Sequence, residues 1–133
     1  MNKLQALLPT VARVLLGLVF FLAGLAALLH LVPKPSTPLP EGATAFAEAM
    51  MKTGYLFPLL KITETVAGAL LLFKRCVPLA LILLAPIVVN IVAFHAFLEP
   101  SGIPVALVIL LLELYLAWVY RNAFRPLFPA NPA

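Results

Sequence analysis

Thr53 to Arg75, TGYLFPLLKITETVAGALLLFKR, is the stretch on which the reading of the fold turns. From Tyr55 to Phe73 it is apolar enough to be a membrane helix, yet it carries Lys61 and Glu64. A charge in hydrocarbon costs at least about 2.5 to 3.5 kcal/mol, so each one that is kept is a candidate for function or for a paired structural role. Residues three apart stack on adjacent turns of one helical surface, which makes this ammonium and this carboxylate neighbours. Ala67 and Gly68 follow on the same helix and are small enough to let another helix approach closely.

Three more apolar runs flank this one. Spanning helices need about 20 apolar residues, and the runs 8–32, 55–73, 77–98 and 104–120 meet or approach that length. The 133 residues are 64% hydrophobic and 11% charged, against roughly 45 to 50% and 25% in soluble domains. The expectation is one integral membrane domain over residues 1–133. Val11 to Val32 is too long for the apolar part of a signal peptide, about 7 to 15 residues, and reads as a retained span. The small positive excess sits at helix ends with no basic run, so nucleic acid is not an expected partner. Cys76 stands alone, without a second thiol or a His at metal-ligand spacing, and no metal site is expected.

The breaks between the runs set the topology. In Pro33 to Gly42 four prolines remove backbone donors and fix φ, which predicts an extended, water-exposed loop. Ala43 to Lys52 follows with strong helix formers, and Phe46, Ala49 and Met50 fall at i, i+3 and i+4. This predicts a short interfacial helix that lies on the membrane or caps the bundle. Lys74 and Arg75, then Glu99 to Gly102, are tight turns, so an antiparallel all-α four-helix bundle is expected. Pro86 lies inside the third span and leaves a carbonyl near Ile82 without its donor. Lys3, Arg13, Lys74, Arg75, Arg121 and Arg125 share one side, which the positive-inside rule puts in the cytoplasm with both termini.

The remaining polar residues sort by depth, at about 1.5 Å per residue. Arg13 and Glu113 come to similar depth on the first and fourth spans, which suggests a structural ion pair; the alternative is that Arg13 snorkels to the headgroups while Glu113 is a buried acid. Asn90 comes to nearly the depth of Lys61, so Lys61, Glu64 and Asn90 either form a polar ligand site or a self-satisfied network that fixes helix register. His95 lies near the outer end of the third span. His30 lies near the outer end of the first, but no spacing requires the two to pair.

RVLLGLVFFLAGLAALL (13–29), TGYLFPLLKITETVAGALLLFKR (53–75) and VPLALILLAPIVVNIVAFHAFLEPSGIP (77–104) resemble the DoxX family of small four-helix bacterial membrane proteins. Three elements carry the likeness: Arg13 with Gly17; Glu64 with Gly68 and the leucine run 70–72; and Pro86, Asn90 and His95. The resemblance implies a multi-pass protein of the bacterial inner membrane. It also implies a non-catalytic or quinone-binding subunit of a membrane redox system handling thiols, sulfur or oxidative stress; the candidate ligand-binding cluster, Lys61, Glu64 and Asn90 with His95 near the outer mouth, rests on the residues' own chemistry as a polar group set in an apolar bundle, and Lys61 is not among the residues that carry the resemblance. Related four-helix proteins imply an alternative, an assembly factor or chaperone for a partner membrane protein, and a small transporter subunit is a weaker reading. Expected partners are the lipid bilayer and a redox or other membrane protein, or further copies of the chain. No nucleophile, phosphate loop or cysteine pair marks an autonomous enzyme.

Overall fold

The computed structural model describes residues 2–130, most of which are helical and none of which form a strand. Met1 and residues 131–133, both ends of the expected 1–133 domain, lie outside the described residues. The elements are α1 (Lys3–Leu28), α2 (Glu41–Lys52), α3 (Leu56–Leu72), α4 (Val77–Phe97), α5 (Ile103–Val119) and the single turn α6 (Arg121–Phe124). A 3₁₀ turn, Pro100–Gly102, joins α4 to α5, and another, Arg125–Leu127, follows α6.

α1 begins five residues before the expected boundary at Leu8 and stops four short of Val32. Its end is a backbone cap: His30 takes a left-handed conformation (φ 57°), and the Leu31 amide donates to Ala26 at 2.8 Å. α3 ends in the same way, with Lys74 left-handed (φ 53°) and Arg75 donating to Leu70 at 2.8 Å. Each cap satisfies carbonyls that the last helical turn leaves without donors. Cys76, also left-handed (φ 46°), then starts α4, where Pro78 fits the first turn because its missing N–H would be unpaired there anyway.

α1 and α3 pack along most of their length, and glycine sets their separation. A Cβ on Gly68 would lie 2.8 Å from Phe21 Cα and 2.9 Å from Gly17 O, both rigid backbone atoms. A Cβ on Gly24 would lie 2.9 Å from Lys61 O. Small residues thus bring the backbones together where the apolar medium supplies no hydrophobic drive. Leu16, Phe20, Leu71, Leu84, Val88 and Leu116 fill the core between α1, α3, α4 and α5. The outward faces stay apolar, with Leu22, Val89, Leu111 and Leu114 exposed as a surface suited to lipid.

α1, α4 and the segment Pro100–Val119 are each long and apolar enough to cross a membrane. α2 and α3 meet at 93°, and this bent pair makes a fourth candidate. α3 has 17 residues, about 25 Å of rise against a hydrocarbon core of about 30 Å.

Candidate functional site

The ammonium of Lys61 meets the Glu64 carboxylate at 3.0 Å on the face of α3 that looks toward α4. Glu64 is buried, whereas Lys61 is part-exposed and its Nζ stands 5.7 Å from the Phe57 ring centroid. Both line a cleft of about 300 Å³ together with Asn90 and His95 of α4. Phe20 and Ala23 of α1 and Ile87 and Ile91 of α4 supply apolar walls, and α2 covers one side with Phe46, Ala47 and Met50. The Phe46 and Phe94 rings pack at 5.6 Å, which ties α2 to the end of α4. All four polar residues singled out in the sequence therefore share one cavity.

Their hydrogen bonding differs. Glu64 is held by Lys61, and His95 Nδ1 lies 3.0 Å from the Glu99 carbonyl and 3.1 Å from its carboxylate. The imidazole also rests on Gly102, where a Cβ would collide with the ring. Ser101 donates its hydroxyl to the other Glu99 oxygen, and this hydrogen bond, ahead of the contact with His95, holds the Glu99 carboxyl below its usual range. The Asn90 amide has no hydrogen bond to a described residue, and Lys61 uses one of its three N–H donors on Glu64, so both are open to a bound molecule in the cleft. The i, i+4 spacing of His95 and Glu99 is a sequence signal for this pair, although Glu99 also fits the composition of a turn. The apolar side of α2 was legible as one that could cap the bundle, whereas its packing against the end of α4 through Phe46 and Phe94 was not.

The expected Arg13–Glu113 ion pair does not form. Arg13 is buried and donates from Nη1 to the carbonyls of Leu71 and, at 3.2 Å, Leu72. These belong to the last turn of α3, where carbonyls lack intrahelical donors and the helix dipole favours a cation. α3 lies closer to Arg13 than α5 does because the Gly17–Gly68 contact draws α1 and α3 together. Glu113, buried on α5 against α4, keeps a carboxylate oxygen with no hydrogen-bond partner. His30 is separate from His95: it opens on a different pocket with Ala27, Met51 and Lys61. No group of three or more His, Cys, Asp or Glu among the described residues is arranged to hold a metal ion.

The DoxX family model matches residues 8–96, well over half of the chain and nearly all of the cleft. The chain belongs to the DoxX family. No curated protein and no solved structure matches it. The DoxX match takes in Arg13, Lys61, Glu64, Asn90 and His95 but stops before Glu99 and α5. Glu99, Ser101, Gly102 and Glu113 are thus features of this chain outside the DoxX match.

Proposed function

We propose that this DoxX protein is the quinone-binding subunit of a membrane redox system. The observation that carries the reading is the cleft itself: an ion pair, an unpartnered amide and an imidazole converge in an otherwise apolar cavity of about 300 Å³. Such a composition suits a flat, mostly apolar ligand fixed by a few polar contacts. Lys61 and the Asn90 amide are the donors available to quinone carbonyls, Phe46 and Phe94 suit the face of the ring, and His95 stands at the mouth. A quinone bound here would supply the electron-carrying chemistry; the chain's own residues bind and orient it.

This reading sets the molecule as an antiparallel four-helix bundle with both termini and the Lys74–Cys76 turn in the cytoplasm, and with α2 lying across α3 at the outer interface. α2 then shields the cleft from water while its apolar side leaves a route to lipid. The test is retention of quinone by protein purified from native membranes and reconstituted in lipid discs. Glu64→Gln weakens the hold on Lys61 and lowers quinone retention, and Asn90→Leu lowers it further. Wild-type retention by both Glu64→Leu and Asn90→Leu would sink the assignment. A stoichiometric partner protein without quinone would instead favour the assembly-factor reading.

A further inference from the structure

A second pocket lies where the ends of α1 and α2 meet the start of α3. It measures about 560 Å³ and is framed by Ala27, His30 and Val32 of α1 and its cap, Met51 of α2, and Phe57 and Lys61 of α3. His30, Val32 and Met51 are exposed and mark its mouth, whereas Ala27 is buried and Phe57 and Lys61 are half-buried. The pocket presents polar as well as apolar surface. Among its lining only the side chains of His30 and Lys61 carry N–H groups, and no carboxylate is among them.

Lys61 belongs to this pocket and to the quinone cleft at once. Its Nζ stands 3.0 Å from Glu64, which lines the cleft, and 5.7 Å from the ring centroid of Phe57, which lines the second pocket. The ammonium is thus a partition between the two spaces, with one N–H given to Glu64 and two left over. His30 occupies the left-handed position that closes α1, its own amide donating to Ala27 at 3.2 Å and that of Leu31 to Ala26 at 2.8 Å. Glycine is the usual residue there. This chain instead sets an imidazole at the mouth of the pocket, and the ring makes no hydrogen bond to a described residue.

We propose that this pocket binds an amphiphilic monocarboxylate of the medium-chain fatty acid class, its carboxylate taking N–H groups from Lys61 and His30 and its chain lying against Ala27, Met51 and Phe57. Donors partly withdrawn from water gain most from an ionised acceptor, and two carboxylate oxygens can serve two donors. The remaining apolar wall selects a ligand with a hydrocarbon body over a small hydrated anion. The site stands apart from the quinone reading, because His30 and Met51 take no part in the cleft.

Fluorine NMR titration of an octanoate with a terminal trifluoromethyl group into the protein in phosphatidylcholine discs tests this, with empty discs setting the partition baseline. Saturable binding above that baseline is expected, and the corresponding alcohol, with the same chain and no charge, should show none. His30→Gly keeps the left-handed cap, removes the imidazole and should weaken binding about tenfold. Lys61→Met with Glu64→Leu removes the ammonium without stranding the carboxylate and should abolish saturation. Ala27→Phe keeps both donors, fills the pocket and should also lose binding. Equal binding of acid and alcohol, or no saturable binding of the acid by wild type, would overturn the proposal; undiminished binding by H30G or by the double variant would overturn the placement. Quinone retention by H30G should match wild type, so loss of this site leaves the cleft reading standing.

Discussion

Lys61 and Glu64 hold each other at 3.0 Å with the carboxylate almost wholly shielded, so removing one end leaves a buried charge uncompensated. Lys61→Met should therefore destabilise the protein by about 3 kcal/mol, at the low end for a broken buried pair because the ammonium is partly exposed. Replacing both, Lys61→Met with Glu64→Leu, should restore most of that stability, since neither ion then needs a partner. Denaturant titration in mixed micelles reads both variants; equal losses for the single and the double would mean the pair contributes no clamp. At the mouth of the cleft, Glu99 has its carboxyl lowered by the Ser101 hydroxyl and then by His95. A lowered folded value favours the native turn above the ordinary range near 4.5, and that contribution fades as pH falls through the folded value. The protection of the Gly102 amide, whose N–H donates to the Glu99 carbonyl at 3.3 Å, should fall relative to that of the α5 amides as pH drops. In Glu99→Gln this protection should be low at every pH, and a wild-type protection that does not change with pH would detach the turn from this carboxylate.

At the scale of the helices, the pairing of α1 with α3 rests on backbone approach. Gly68→Ala would place its Cβ against Phe21 and Gly17 backbone atoms, which cannot rotate aside, so α1 must move away. The expected loss is about 1 to 3 kcal/mol, the usual cost of overpacking, despite alanine's better helix propensity. Thermal unfolding in detergent measures it, and an unchanged or raised midpoint would show that the interface has slack. The displacement also pulls Arg13 from the carbonyls of Leu71 and Leu72, so Gly68→Ala should fray the end of α3 as well as loosen the pair. Helix identity was legible in the sequence because apolar runs, proline breaks and Lys74–Arg75 are local signals. Helix ends were less so: the cap at His30 needs a left-handed backbone at a non-glycine residue, which composition does not advertise. Depth along two helices gave Arg13 and Glu113 the same height but not the same azimuth, and height alone could not show that Arg13 faces α3.

For the whole molecule, the membrane class followed from composition, and the gathering of Lys61, Glu64 and Asn90 followed from depth, since residues at one level on adjacent helices can share a cavity; His95, one level further out on α4, lines the same cleft at its mouth. A short helix before α3 that lies on the membrane or caps the bundle was legible, but which of the two it does was not, because the 93° bend between α2 and α3 is accompanied by tertiary contacts such as Phe46 on Phe94. Which side of the membrane α2 faces governs how any ligand or redox partner reaches the cleft. The chain's only cysteine is a built-in reporter of that choice. Cys76 is exposed in the turn between α3 and α4, at the end of the molecule away from α2, beside Lys74 and Arg75. Basic residues next to span ends are retained in the cytoplasm, so this turn should be cytoplasmic. A membrane-impermeant maleimide should then leave Cys76 unlabelled in intact spheroplasts and modify it in inverted vesicles. Ser36→Cys in a Cys76→Ser background places the thiol in the Pro-rich loop before α2 and should reverse the pattern. Labelling of Cys76 from outside would invert the topology, putting α2 and the His95 mouth on the cytoplasmic side and requiring any redox partner of the cleft to be cytoplasmic.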